Sequence, residues 1–114
     1  MQDFLITQAK LEQLLMKLYP VLKKYPRSEM YSLTSRTKEA FYEAIKHLAV
    51  GSSVPSRRFV EYQNADSHLK ILKLLIRVAY KNQYISKPLY QATDLDLTEI
   101  EKMTNTMIKN CRKT

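Results

Sequence analysis

Lys70, Lys73, Arg77 and Lys81 recur at three- and four-residue intervals. Placed about 100° apart per residue around a helix axis, they fall within a stripe of about 80°. Cations in such a row can neutralise phosphates and release the counterions condensed on a nucleic acid, which makes binding steeply salt-dependent. Arg57 and Arg58 lie upstream in the same stretch. Segment 57–87 holds seven basic residues against two acids, a net +5 of the chain's +8. A row of Lys and Arg by itself is most often the solvated flank of a helix. The concentration of charge in one segment shifts the balance toward a polyanion-binding surface. Nucleic-acid contact is therefore expected of Lys70, Lys73, Arg77, Lys81, Arg57 and Arg58.

The other reactive residue types are sparse. His47 and His68 are single histidines with no Cys, His or carboxylate at ligand spacing, and an ordinary structural or surface role is expected of both rather than metal binding. Cys111 has no evident base partner and reads as a small packing residue. With only one cysteine, no internal disulfide can form. Asp94, Asp96, Glu99 and Glu101 read as helix-start electrostatics. No glycine-rich phosphate loop is present. No convergent set of titratable residues can be assembled. The expectation is a protein that is not an enzyme, with no catalytic residue, no metal site and no cofactor.

These side chains must be positioned by helices. The 114 residues include one Gly and four Pro, which argues for few turns and long elements. Phe4, Leu11, Leu15, Leu18 and Leu22 mark a first helix over about 3–24, with Pro20 inside its apolar stripe as a kink. A loop follows over 25–31. Leu33, Thr37, Ala40, Phe41, Ala44, Ile45 and Leu48 mark a second helix over 33–50. Ser32 or Thr34 is its expected N-cap, and Gly51 the residue just past its end. After the loop Gly51-Ser-Ser-Val-Pro-Ser56, a third helix is expected over 57–83. Ser86-Lys-Pro88 reads as a cap and early-turn proline opening a fourth helix to about Arg112, with a wobble at 94–96 and a fraying tail. Short connections imply an all-α, antiparallel up-down four-helix bundle as a single domain spanning 1–114.

The third helix carries two apolar faces. Leu69, Leu72, Ile76, Ala79 and Tyr80 share one, and Ile71, Leu74, Val78 and Ile85 share the other. A bundle helix needs only one. Either this helix is central and touches three neighbours, or the second face is an oligomer interface. Self-association through Ile71, Leu74, Val78 and Ile85 is the favoured expectation. No apolar run approaches the ~20 residues of a membrane span. The N-terminus has no signal-peptide layout, and a cytoplasmic location is expected.

Several patches resemble one known family. Tyr25-Pro-Arg-Ser-Glu-Met-Tyr-Ser-Leu-Thr34 is similar to its loop into the second helix. Leu69-Lys-Ile-Leu-Lys-Leu-Leu-Ile-Arg-Val-Ala79 is similar to its leucine-rich third helix, Tyr84-Ile-Ser86 to its last turn, and Glu99-Ile-Glu-Lys-Met103 with Ile108-Lys109 to its last helix. The chain resembles the accessory variability determinants of diversity-generating retroelements, and the related proteins encoded in 23S rRNA intervening sequences. Where members often carry Gly-Trp, this chain has Thr106-Met107. The resemblance implies a homopentameric ring that associates with a reverse transcriptase and its template RNA during mutagenic cDNA synthesis, supplying no catalytic residues. Arg77 falls within the matching region, whereas Lys70, Lys73 and Lys81 rest on the charge argument alone. The alternatives are a protein-only helical adaptor meeting an acidic partner, or an rRNA intervening-sequence protein.

Overall fold

The computed structural model of the chain describes residues 3–112, without the side chains of residues 3 and 112. Four α-helices account for most of them: α1 Asp3–Leu22, α2 Leu33–Ser53, α3 Arg58–Lys81 and α4 Lys87–Arg112. Single 3-10 turns, Arg27–Glu29 and Pro55–Arg57, sit in the first two connections. No strand occurs among the described residues. The tail beyond Arg112, expected to fray, lies outside them. No described helix is long and apolar enough to cross a membrane.

Each helix packs against two others: α1 on α2, α2 on α3, α3 on α4, and α4 back on α1. With short connections between packed neighbours, this cycle is an up-down four-helix bundle. Its long axis of 46 Å matches helices of this length plus their loops. The predicted stripes face inward. Leu11, Leu14, Leu18 and Leu22 of α1 meet Phe41 and Leu48 of α2, Leu69, Leu72 and Ile76 of α3, and Leu97, Ile100 and Met107 of α4. Met107, where relatives often carry Trp, is buried and accepts a hydrogen bond from Thr7 Oγ1 on its sulfur at 3.5 Å.

Some local expectations hold and others change. Pro20 neither ends nor splits α1, which continues to Leu22. The carbonyl that the proline cannot bond is that of Met16, an exposed residue that meets solvent at low cost. Gly51 is not a helix-terminating residue. It lies inside α2, and a Cβ there would stand 2.6 Å from the Tyr62 ring, so glycine lets α3's aromatic side chain press against α2's backbone. Ser32 does not cap α2 with its own side chain. It donates to Glu29 Oε1 at 2.6 Å, and that oxygen accepts the Leu33 N–H at 3.4 Å. Ser86 does cap α4, accepting the Leu89 N–H at 3.3 Å. α4 runs unbroken through 94–96.

The two-faced reading of the third helix resolves in part. The α3 backbone packs beside α2 and α4 and lies diagonally across the core from α1, so it is not a central helix with three adjacent neighbours. Leu69, Leu72, Ile76 and Ala79 are buried, while Ile71 and Leu74 remain about half exposed. Val78 is partly buried against the core. Ile85 is a correction: it belongs to the core at 8% exposure and is not on an outer face. α3 ends at Lys81, so the helical spacing that groups Ile85 with Ile71, Leu74 and Val78 does not reach it. Gln83 adopts φ 64°, and the Tyr84 N–H bonds back to the Ala79 carbonyl, so the chain reverses and Ile85 folds under the bundle end.

Candidate nucleic-acid interface

The basic strip on α3 divides along its length. Near the middle, Lys73 reaches across to α4, with Glu101 at 3.2 Å, Asp94 at 3.8 Å and a bond to Thr98 Oγ1 at 2.9 Å. Lys70 is held by Asp66 at 2.7 Å and Glu101 at 3.6 Å. The bond to Asp66 and the nearby carboxylates raise the Lys70 pKa. Asp94 and Glu101, assigned from the sequence to helix-start electrostatics, thus neutralise this half of the strip. Lys73 acts as an α3–α4 staple with only part of its side chain in solvent.

Arg57 and Arg58 stand at the other end of α3 and are also engaged. Arg57 pairs with Glu61 at 2.6 Å while staying largely in solvent. Arg58 donates to the Gly51 and Ser52 carbonyls at 2.8 and 3.0 Å, satisfying the end of α2, and its guanidinium lies 5.5 Å from the Phe4 ring. Arg58 is a helix-end residue first.

Arg77 and Lys81 differ. Both are exposed, and neither forms an ion pair among the described residues. They lie at the C-terminal end of α3, where two loops meet. Tyr25 of the first loop contacts Tyr84 of the third, ring centroids 5.5 Å apart. The Tyr84 hydroxyl donates to Glu29 Oε2 at 2.8 Å. Burial pushes the Tyr25 phenol up to about 12. The bonds from Ser32, Tyr84 and the Leu33 N–H hold the Glu29 carboxyl below its usual range.

This junction gathers cations that the sequence reading left out. Lys23, Lys24 and Arg27 of the first loop and Lys87 at the start of α4 are exposed and carry no ion pair among the described residues. With Arg77 and Lys81 they make one end of the bundle basic. The acid in that first loop, Glu29, is turned inward to Ser32, Leu33 and Tyr84. A shallow depression beside Arg27, lined also by Lys23, Tyr25, Pro26, Met30 and Lys38, continues along α2 past Tyr31 and Tyr42. Tyr31 is 90% exposed. Unpaired cations beside exposed aromatic rings suit phosphate contact with stacking. The sequence did hold a signal for this, since Lys23-Lys-Tyr-Pro-Arg27 is a cation-rich loop. Up-down topology places that loop at the end of the third helix.

A family model for bAvd-like proteins matches residues 5–111. The chain belongs to the bAvd-like family. These are the accessory variability determinants of diversity-generating retroelements, so membership points to an accessory role in such an element. No curated protein and no solved structure matches the chain significantly. In this bAvd-like bundle, Arg77 and Lys81 are the two strip cations with no ion pair among the described residues.

Proposed function

We propose that this chain is a non-catalytic, cytoplasmic, single-domain accessory protein that associates with a retroelement reverse transcriptase and its template RNA to support mutagenic cDNA synthesis. The observation that carries the reading is the family match over residues 5–111. The basic end supports it, because it offers Lys23, Lys24, Arg27, Arg77, Lys81 and Lys87 to a polyanion with no acid paired to them among the described residues. Contacts of this kind address the phosphate backbone and position RNA without reading its sequence. Specificity for the template then comes from RNA shape or from the polymerase. Self-assembly, with a homopentamer preferred, belongs to the same proposal and is supported by the half-exposed Ile71 and Leu74 on the outward side of α3.

The test is a titration with structured RNA at several salt concentrations, alongside copurification of the native complex with its protein and RNA identified. Arg77→Ala/Lys81→Ala and Lys24→Ala/Arg27→Ala are expected to weaken binding and to flatten the log–log salt slope by up to about one unit per lost phosphate contact. Charge removal at Lys102 and Lys109 is expected to have a smaller effect. Equal losses in all variants would show that net charge alone matters. Unchanged binding in both basic-end variants, with a partner protein but no RNA in the complex, would favour the protein-only adaptor.

A further inference from the structure

His47 of α2 and His68 of α3, unrelated in the sequence, come together on the seam between the two helices. Their rings stack with centroids 5.4 Å apart and planes 12° apart. Glu43, one turn before His47, completes a group whose ligand atoms all lie within 4.8 Å of one another. Behind them is Glu61, whose side chain is 4% exposed. Its Oε1 lies 2.5 Å from His47 Nδ1, and its Oε2 accepts from Arg57 at 2.6 Å. A carboxylate oxygen can only accept, so Nδ1 carries the proton. In the neutral ring the lone pair then sits on Nε2, the nitrogen facing Glu43 Oε1 at 3.7 Å.

We propose that Glu43, His47 and His68 form a binding site for a divalent transition-metal ion of the zinc class, with Glu61 as the positioning residue behind His47. Two histidines and one carboxylate are a recognised zinc donor set that leaves a fourth position for water or another ligand. The carboxylate–imidazole pair behind the metal-facing nitrogen fixes the tautomer and raises the basicity of the ligand. Ligand atoms on a tetrahedral zinc stand roughly 3.3 Å apart, so side-chain rotation alone must draw this group together. Partial exposure of His47, His68 and Glu43 gives an ion a way in. Lys46, 3.0 Å from Glu43, is largely in solvent and free to swing away. The bound ion would link α2 to α3, with Glu43 also lining the far end of the depression that runs along α2 from the basic end.

Full-length, tag-free protein is stripped with chelator and titrated with Zn2+ by calorimetry, and with Co2+ by visible absorption. The expected result is saturable binding of one ion per chain, tetrahedral Co2+ bands displaced by Zn2+, and a Tm that rises with Zn2+ concentration. His68→Ala and Glu43→Gln are expected to lose the Co2+ bands and the Tm shift while keeping metal-free helicity. Glu61→Gln is expected to weaken affinity by about 10- to 100-fold. Cys111→Ser is expected to bind as wild type. Should His47→Gln fail to fold, the His68 and Glu43 variants still decide the matter. Absence of saturable binding in the wild type overturns the site, as does binding retained in both of those variants. Either result would leave the retroelement reading untouched.

Discussion

Gly51 shows what one missing Cβ does. The Tyr62 ring, 1% exposed, occupies the space that an alanine methyl at 51 would need, with Cε1 at 2.6 Å and Cδ1 at 2.8 Å. Alanine in a helix interior gains up to about 1 kcal/mol in propensity over glycine. Overpacking against a fixed buried ring costs about 1–3 kcal/mol. Gly51→Ala should therefore lower the stability measured by denaturant unfolding, and an unchanged or raised midpoint would show that the ring yields. Glu29 acts at the same scale. Its carboxylate is held below the usual value of 4.5, first by the Ser32 hydroxyl and then by the Tyr84 hydroxyl, with the Leu33 N–H a smaller contribution. A depressed carboxylate contributes stability above its unfolded pKa and loses it as pH falls through the folded value. Tyr84→Phe should thus destabilise the bundle at neutral pH, and the gap to wild type should close as pH drops below about 4.5. Thermal melts of both proteins from pH 7 to pH 3 check this, and a gap that persists in acid would mean Tyr84 acts by packing alone.

Among the elements, the α3–α4 pair carries the largest revision. The sequence put four cations on one stripe of the third helix, and they are on that stripe. What each cation meets depends on α4, because the register between two helices sets which side chains face across the seam. Lys73 and Lys70 meet Glu101, whereas Arg77 and Lys81 lie beyond its reach. Lys73→Ala should consequently act on the fold more than on RNA. The Lys73 and Glu101 side chains are 22% and 15% exposed. A loss of about 1–2 kcal/mol is expected, between an exposed pair and a buried one. Equilibrium unfolding measures it, and the RNA salt slope of this variant should stay near wild type. A flattened slope with unchanged stability would restore Lys73 to the binding surface.

For the molecule as a whole, charge and apolar surface are distributed unevenly. One end presents cations from the first loop, the end of α3 and the start of α4 that have no ion pair among the described residues, and the outward side of α3 presents Ile71 and Leu74. Leu74 is 49% exposed, so Leu74→Asp should cost the monomer only about 1–2 kcal/mol, from helix propensity and the half of the side chain that is buried, and leave it folded. Its main effect should fall on assembly, with a lower mass by light scattering and intact helical circular dichroism. Retention of the wild-type mass would remove this face from the assembly surface. Val78 cannot serve this test, since it packs partly against the core. The four helices, their inward stripes and their order around the bundle could be read from the sequence. Apolar spacing reports which side of a helix leaves water, and short loops leave packed neighbours little choice but to alternate. Family membership was legible on other grounds, through the resemblance of ordered patches along the chain to a known family, and the family match over residues 5–111 bears it out. Ile85 escaped because a left-handed residue at 83 breaks the periodicity on which the reading relied. The pairing of Lys73 with Glu101, the meeting of His47 with His68, and the union of the first loop with the end of α3 were decided by the tertiary structure. Each depends on contact between residues far apart in the chain, and interhelical register, which no single-helix periodicity contains, determines which of them touch.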